Sequence, residues 1–137
     1  LKLRNLIYLG VIVSLFFTLP MERTSLQQES NAFSDEELLK RIAEGPVFLN
    51  FTADWCITCK VNERVALKTN ETLKFFEEKN IFYFEADWTN KNELIAKKLA
   101  SFGRSSIPLY VYYPGEKRDP IILPEILTES LIKDYLN

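Results

Sequence analysis

The two cysteines of the chain, Cys56 and Cys59, are separated by two residues and directly follow a mostly apolar stretch. That stretch, Pro46–Ala53, is bounded by a proline and by the cysteine motif, which is typical of a central strand covered on both faces. From Cys56 to Leu67 the pattern becomes helical. The pair is therefore predicted to lie where a buried strand ends and a helix begins.

This position favours redox chemistry at the two sulfurs. The first amides of a helix lack partners within the helix and carry a partial positive charge, so we expect the pKa of Cys56 to fall below that of a free thiol. Cys59 follows one turn later on the same face. Cys56 is therefore predicted to be the exposed nucleophile that attacks a foreign disulfide, and Cys59 the more buried thiol that resolves the mixed disulfide.

Other interpretations of the pair remain open at this level. The chain has only these two cysteines, which is half of the four ligands of a tetrahedral zinc site. It has no histidine, so a Cys–His or Ser–His–Asp catalytic mechanism is excluded within this chain. A copper(I) site with two thiolate ligands fits the pair, as does a structural disulfide or two inert core cysteines. The placement between strand and helix favours the redox dithiol over these alternatives.

The composition and the turn signals predict one globular domain over residues 33–137. The chain is 47% hydrophobic with a net charge of −2 and no long basic run, which does not favour nucleic-acid binding. Capping and turn signals give the order α-β-α-α-β-α-β-β-α, with parallel early strands, an antiparallel closing hairpin, and helices on both faces of a mixed sheet. Leu39 and Leu94 are assigned to buried helix faces, and Asn70 to a helix cap.

A hydrophobic segment at residues 1–21 precedes this domain. Lys2 and Arg4 stand ahead of an uncharged apolar stretch, Leu6–Leu19, which is the layout of a secretory signal or an N-terminal anchor. No small-residue cleavage site follows directly, which favours an uncleaved anchor; a buried core helix is the remaining alternative. Residues 22–32 are polar and are interpreted as a linker. Either export route places the domain outside the cytoplasm.

Three further features are candidates for the functional site. Glu63 lies four residues after Cys59, where a carboxylate can take up or return a proton, although a solvated surface carboxylate fits equally well. Trp55 either shields the pair, belongs to a docking surface or packs in the core. Pro108 begins a strand whose ladder it cannot join, and a cis Ile107–Pro108 bond would explain this, although the rarity of cis bonds favours trans.

Four separated motifs extend this pattern over about residues 31–137: FTADWCITCKVNE, ADWTNKN, FGRSSIPLYVYYPG and LPEILTESL. They resemble the thioredoxin superfamily, and more closely the C-terminal thioredoxin-like domain of the membrane thiol:disulfide interchange protein DsbD family. The resemblance implies a thioredoxin-like α/β fold with a central mixed sheet flanked by helices. It also implies an oxidoreductase that takes electrons from a membrane donor and reduces thiol proteins of the bacterial periplasm.

The resemblance implies a role for each candidate residue. Cys56 and Cys59 take the positions of the nucleophile and its partner, and their redox-active disulfide needs no organic cofactor or metal. Pro108 takes the position of a cis-proline that shapes the substrate groove, which Trp55 and Ile107 are also predicted to line.

The resemblance also assigns the charged groups around the pair. Glu63 takes the position of an acidic residue held near the cysteines. Asn50 stands where thioredoxins usually carry a buried aspartate, and because it cannot ionise, proton transfer is expected to involve Glu63 or water.

Two questions of organisation and direction stay open. DsbD carries a bundle of membrane helices before this domain, so Leu6–Leu19 is either the last helix of such a bundle or the segment that exports a stand-alone protein. In both cases the domain is expected on the periplasmic side of the inner membrane. Reduction is the direction that the resemblance implies; a disulfide-forming oxidase and a copper(I)-binding module are the alternatives.

Overall fold

The structure, a computed structural model, describes residues 33–137; the hydrophobic segment and the linker lie outside the described residues. Helices and strands follow one another in the predicted order. The helices are α1 (Asp35–Glu44), α2 (Ile57–Asn62), α3 (Asn70–Glu78), α4 (Glu93–Ser101) and α5 (Glu129–Leu136), with a π-helical turn (Glu63–Leu67) directly after α2. The strands are β1 (Val47–Thr52), β2 (Phe82–Asp87), β3 (Leu109–Tyr113) and β4 (Ile121–Leu123). Over residues 33–137, each helix is too short or too polar to span a membrane.

The four strands form one mixed sheet in the order β2-β1-β3-β4. β1 pairs in parallel with β2 and antiparallel with β3, and β3 pairs antiparallel with β4. Every residue of β1 is buried, because strands flank it on both edges and helices cover both of its faces. The predicted mixed sheet, parallel crossover and closing hairpin are confirmed.

Alternate residues of β1 supply the two halves of the hydrophobic core, since successive strand side chains point to opposite faces. Phe48 packs with side chains from α3, α5 and β3, including Phe76, Tyr110 and Ile132. On the other face, Val47, Leu49 and Phe51 pack with Phe33, two residues before α1, and with Leu38 of α1 and Ile95 and Leu99 of α4. The sheet is therefore rigidly held from both sides at the point where β1 leads into the cysteine motif.

Local signals placed most helix ends correctly, but three details were wrong. Thr69, not Asn70, caps α3: its hydroxyl accepts the Thr72 amide at 3.2 Å, and Asn70 is the first helical residue. Leu39 and Leu94 are exposed, at 63% and 54%. Leu39 is next to the buried Leu38, and Leu94 is next to the buried Ile95. Because an α-helix turns by about 100° per residue, only one of two adjacent side chains can face the sheet.

Candidate active site

Cys56 and Cys59 form a disulfide at the beginning of α2, with their Cα atoms 5.3 Å apart. Cys56 is the N-cap of the helix, and its sulfur accepts a hydrogen bond from the Cys59 amide at 3.2 Å. Cys56 is 7% exposed, whereas Cys59 is fully buried. Cys56 is therefore the more accessible of the two cysteines, and the same amide can stabilise a thiolate at its sulfur after reduction.

The loop before β3 lies against the disulfide. Ile107 packs on the cluster formed by Ala53, Cys56 and Cys59. The Ile107–Pro108 peptide bond is cis, as the resemblance implied, and both residues are partly exposed. The two loops are therefore in contact through Ile107, at the place where the substrate groove is predicted.

Trp55 stands at the edge of this region and is fixed by the loop that follows β2. Its side chain is 49% exposed, so it does not belong to the core. The indole Nε1–H donates to the Thr89 carbonyl at 3.1 Å, and the ring lies 6.2 Å from that of Trp88. The Lys91 ammonium lies 5.5 Å from the Trp55 ring centroid. The motif ADWTNKN thus buttresses the tryptophan next to the disulfide, a contact that the sequence alone did not reveal.

Glu63 is buried one turn after Cys59, with 8% of its surface exposed. Its Oε1 accepts a hydrogen bond from the Thr52 hydroxyl at 2.7 Å. Its Oε2 lies 3.4 Å from the Lys68 ammonium and 3.5 Å from that of Lys60. Burial alone would raise the pKa of Glu63, but the hydrogen bond from Thr52 and the charges of Lys68 and Lys60 outweigh it and hold the pKa below its usual value. Glu63 is therefore an ionised carboxylate inside the protein rather than a solvated one.

Asn50 lies two residues before Thr52 on the same face of β1, and is fully buried. Its Nδ2 donates to the Tyr83 hydroxyl at 2.8 Å, and its Oδ1 has no partner among the described residues. A neutral amide thus occupies the position on β1 where the resemblance expects an aspartate. The charge under the site comes instead from Glu63, on the helix side.

Asn62 is a buried residue of the site region that the sequence analysis missed. Its amide donates to the Tyr110 hydroxyl at 2.8 Å and to the Glu125 carbonyl at 2.7 Å, and its Oδ1 accepts from the Leu127 amide at 3.2 Å. These bonds join α2 to β3 and to the loop between β4 and α5. A polar residue on the buried stripe of α2 was the available signal, but its partners are 48 to 65 positions away in the chain.

The buried disulfide at the start of a helix, beside a cis-proline and on a four-stranded mixed sheet, is the arrangement of a thioredoxin-type redox protein. A family model described as Thioredoxin-like matches residues 32–115, and the chain belongs to this family. No curated protein matches the chain.

Solved structures share this fold at low sequence identity. The oxidised C-terminal domain of Neisseria meningitidis DsbD is 22% identical, with a TM-score of 0.54 over 76% of this chain and 95% of that one. A mutant thioredoxin from Halobacterium salinarum is 20% identical, with a TM-score of 0.55 over 77% of this chain and 84% of that one. A Thermus thermophilus thioredoxin is 12% identical, with a TM-score of 0.60 over 76% and 82%. The family and the Cys56–Cys59 disulfide together identify a thiol–disulfide oxidoreductase.

Proposed function

We propose that the protein is a disulfide reductase of DsbD type that acts on proteins on the periplasmic side of the bacterial inner membrane. The observation that carries the proposal is the unequal exposure of the two cysteines, since Cys56 keeps 7% of its surface exposed and Cys59 is fully buried. An exposed attacking sulfur and a protected resolving sulfur are what stepwise disulfide exchange requires. The similarity to the DsbD C-terminal domain favours reduction as the direction.

The reaction proceeds in two exchanges on the reduced protein. The Cys56 thiolate attacks one sulfur of the client disulfide; a bond forms between Cys56 and the client, and the second client sulfur leaves as a thiolate that takes up a proton. Cys59 then loses its proton and attacks the Cys56 sulfur, which releases the first client sulfur as a thiolate that takes up the second proton. The client gains two electrons and two protons, and the Cys56–Cys59 disulfide is restored.

The surroundings of the pair support distinct roles in these steps. Ile107 packs against the cysteine cluster, Pro108 follows it through a cis bond, and Trp55 stands on the adjoining loop, so we propose that they line the groove for the client. Glu63 is available as the acceptor of the Cys59 proton, because it is held as a carboxylate one turn further along the helix. The pair itself carries the electrons, so the proposal includes no metal or organic cofactor.

The proposed location and electron source derive from the sequence. The positive flank and the apolar stretch Leu6–Leu19 support export and attachment to the inner membrane. A protein that reduces clients there must itself be reduced again, and we propose a membrane-embedded dithiol donor for this step. The partners are then this donor and periplasmic proteins that carry disulfides.

The proposal is tested by mixing the fully reduced protein with insulin and by measuring its midpoint potential against glutathione. We expect one insulin disulfide to be reduced for each Cys56–Cys59 disulfide formed, and a midpoint at or below about −200 mV. The matched control is the same protein with both thiols alkylated, which should transfer nothing.

Two outcomes of this experiment would overturn the proposal. A midpoint potential of about −120 mV would indicate a disulfide-forming oxidase. Absence of electron transfer to insulin, combined with stoichiometric retention of copper(I) by the reduced protein, would indicate a metal-binding module.

A further inference from the structure

A cluster of charged side chains lies between α2, the π-helical turn and β2. The Lys68 ammonium contacts two carboxylates within it, at 3.4 Å from Glu63 Oε2 and 2.8 Å from Glu85 Oε1. Glu63 is buried, whereas the Lys68 side chain is about half exposed, with 47% of its surface accessible. Lys68 therefore connects the carboxylate one turn after Cys59 with a carboxylate on the edge strand of the sheet.

The π-helical turn is what brings Lys68 to Glu63. In an α-helix a residue five positions further on is rotated by about 140° from the first, since each residue adds about 100°. Here the Lys68 amide donates to the Glu63 carbonyl at 2.7 Å, the five-residue spacing of a π-turn. The wider turn returns Lys68 to the side of Glu63, and π-turns of this kind occur frequently at functional sites.

Contacts on both sides fix the Glu63 carboxylate. Thr52, on β1, binds one oxygen and Lys68 the other. Glu85 in turn holds Lys68 in place, and it also accepts a hydrogen bond from the Tyr83 hydroxyl at 3.0 Å. Lys60 is the second cation at Glu63, but its ammonium is shared with the exposed Asp54 at 3.4 Å.

The remaining ionisable groups around Glu63 do not substitute for Lys68. Glu85 has the same charge as Glu63. Burial, and then the neighbouring carboxylates, raise the pKa of Tyr83 far above its usual value despite the hydrogen bond from Asn50. Burial, opposed by the Asn62 hydrogen bond and assisted by the charge of Glu63, raises the pKa of Tyr110 to about 12. Both tyrosines are therefore neutral at any pH at which the protein works.

We propose that Lys68 is a positioning residue for disulfide exchange: it holds Glu63 as a fixed carboxylate that accepts the Cys59 proton during the resolving step. The inference rests on the proposed function and adds a residue to its machinery that touches neither sulfur. It also gives the π-helical turn a purpose, because an α-helical continuation would separate the lysine from the carboxylate.

The direction of the pH effect follows from the charges. Glu63 has a pKa below its ordinary value of 4.5, so it is ionised, and its stabilising contacts are formed, above that pH. These contacts are lost as the pH falls through the lowered pKa. Without Lys68, less positive charge opposes the effect of burial, so the pKa of Glu63 rises and the carboxylate is protonated at higher pH.

The test is the pH dependence of the resolving step in Lys68→Met. The rate at which Cys59 displaces a small mixed disulfide from Cys56 is followed from pH 4 to pH 8. We expect the acid limb to shift upward by about one pH unit, so that the rate relative to the unaltered protein falls about twofold near pH 5 and by up to about tenfold at the acid end of the range. Lys68→Arg should keep the pH profile of the unaltered protein, because arginine retains the positive charge next to Glu63.

Lys74→Met is the matched control. Lys74 lies on α3 with 76% of its side chain exposed and contacts only Glu78, at 3.8 Å, so its removal should leave the profile unchanged. A carboxyl NMR titration of Glu63 provides a second readout that does not depend on turnover, and its midpoint should rise in Lys68→Met alone.

The outcomes separate this inference from the proposed function. If the unaltered protein resolves mixed disulfides and Lys68→Met shows the same pH profile and the same Glu63 midpoint, the inference is wrong and the proposed function stands. If the unaltered protein fails to exchange disulfides while Glu63 still titrates higher in Lys68→Met, the proposed function is wrong and only the charge contact remains.

Discussion

Replacing Cys56 with serine is expected to lower disulfide exchange with insulin to the rate measured without protein. A serine hydroxyl stays protonated at neutral pH and does not attack sulfur, whereas a thiolate does. Cys59 cannot take over, because it is fully buried beneath the first turn of α2. The measurement is the initial rate of insulin reduction with a chemical thiol supplying electrons.

The control for this variant is Thr58→Ala. Thr58 lies between the cysteines but is exposed and carries no sulfur, so its variant should retain turnover. Thermal unfolding of the Cys56→Ser protein establishes that it is folded. Substantial turnover by folded Cys56→Ser would mean that Cys59 is the attacking sulfur, contrary to the assignment made from exposure.

Replacing Phe48 with alanine is expected to cost about 3 to 5 kcal/mol in the free energy of unfolding. Phe48 is fully buried at the centre of the sheet, with ring centroids at 5.4 Å from Phe76, 6.1 Å from Tyr83 and 6.2 Å from Tyr110. Its removal leaves a cavity among rigid aromatic rings that cannot collapse into the space. Urea unfolding followed by circular dichroism gives the value.

Leu39→Ala is the control for Phe48→Ala. Leu39 is 63% exposed on α1, so its truncation should change the free energy of unfolding by less than about 0.5 kcal/mol. A loss below about 1 kcal/mol for Phe48→Ala would show that this side of the sheet is loosely packed. The same face carries Asn50 and Thr52, so its rigidity bears directly on the position of Glu63.

The parts of the fold that sequence predicted are those set by local chemistry. The mostly apolar run of β1 predicted a strand covered on both faces, and the helical pattern from Cys56 onward predicted that the cysteine motif opens a helix. Ser34 and Thr128 cap α1 and α5, and each hydroxyl accepts a hydrogen bond from an amide three residues later, at 3.1 and 3.2 Å. Such contacts join residues within one helical turn, so a short stretch of sequence is enough to predict them.

The parts that sequence missed depend on contacts between distant elements. Lys68 reaches Glu63 only because the helix widens after Asn62, and the residue pattern from Cys56 to Leu67 gives no sign of a π-turn. The Thr52–Glu63 bond joins a strand to a helix across 11 positions. The sequence is equally compatible with a solvent-exposed Glu63, because only the packing of the helix on β1 buries this side chain. Tertiary packing, rather than local preference, therefore determined the electrostatics of the site.

The ionised group near the redox pair is Glu63, as the resemblance implied, and not the strand residue Asn50. Asn50 is buried and neutral on the strand, and its amide is engaged by Tyr83. The ionised group instead projects from the helix and is held by Thr52 and Lys68. A proton released by Cys59 would accordingly be accepted from the helix side of the pair.

The most direct test of the central claim is to trap the exchange intermediate in Cys59→Ala. Without the resolving thiol, attack by Cys56 on a client disulfide should leave a stable mixed disulfide, which a non-reducing gel detects and peptide mass spectrometry maps. We expect one covalent client per protein, joined through Cys56 and released by reductant. A folded Cys59→Ala protein that forms no such adduct with insulin or with proteins of its own compartment would contradict the account.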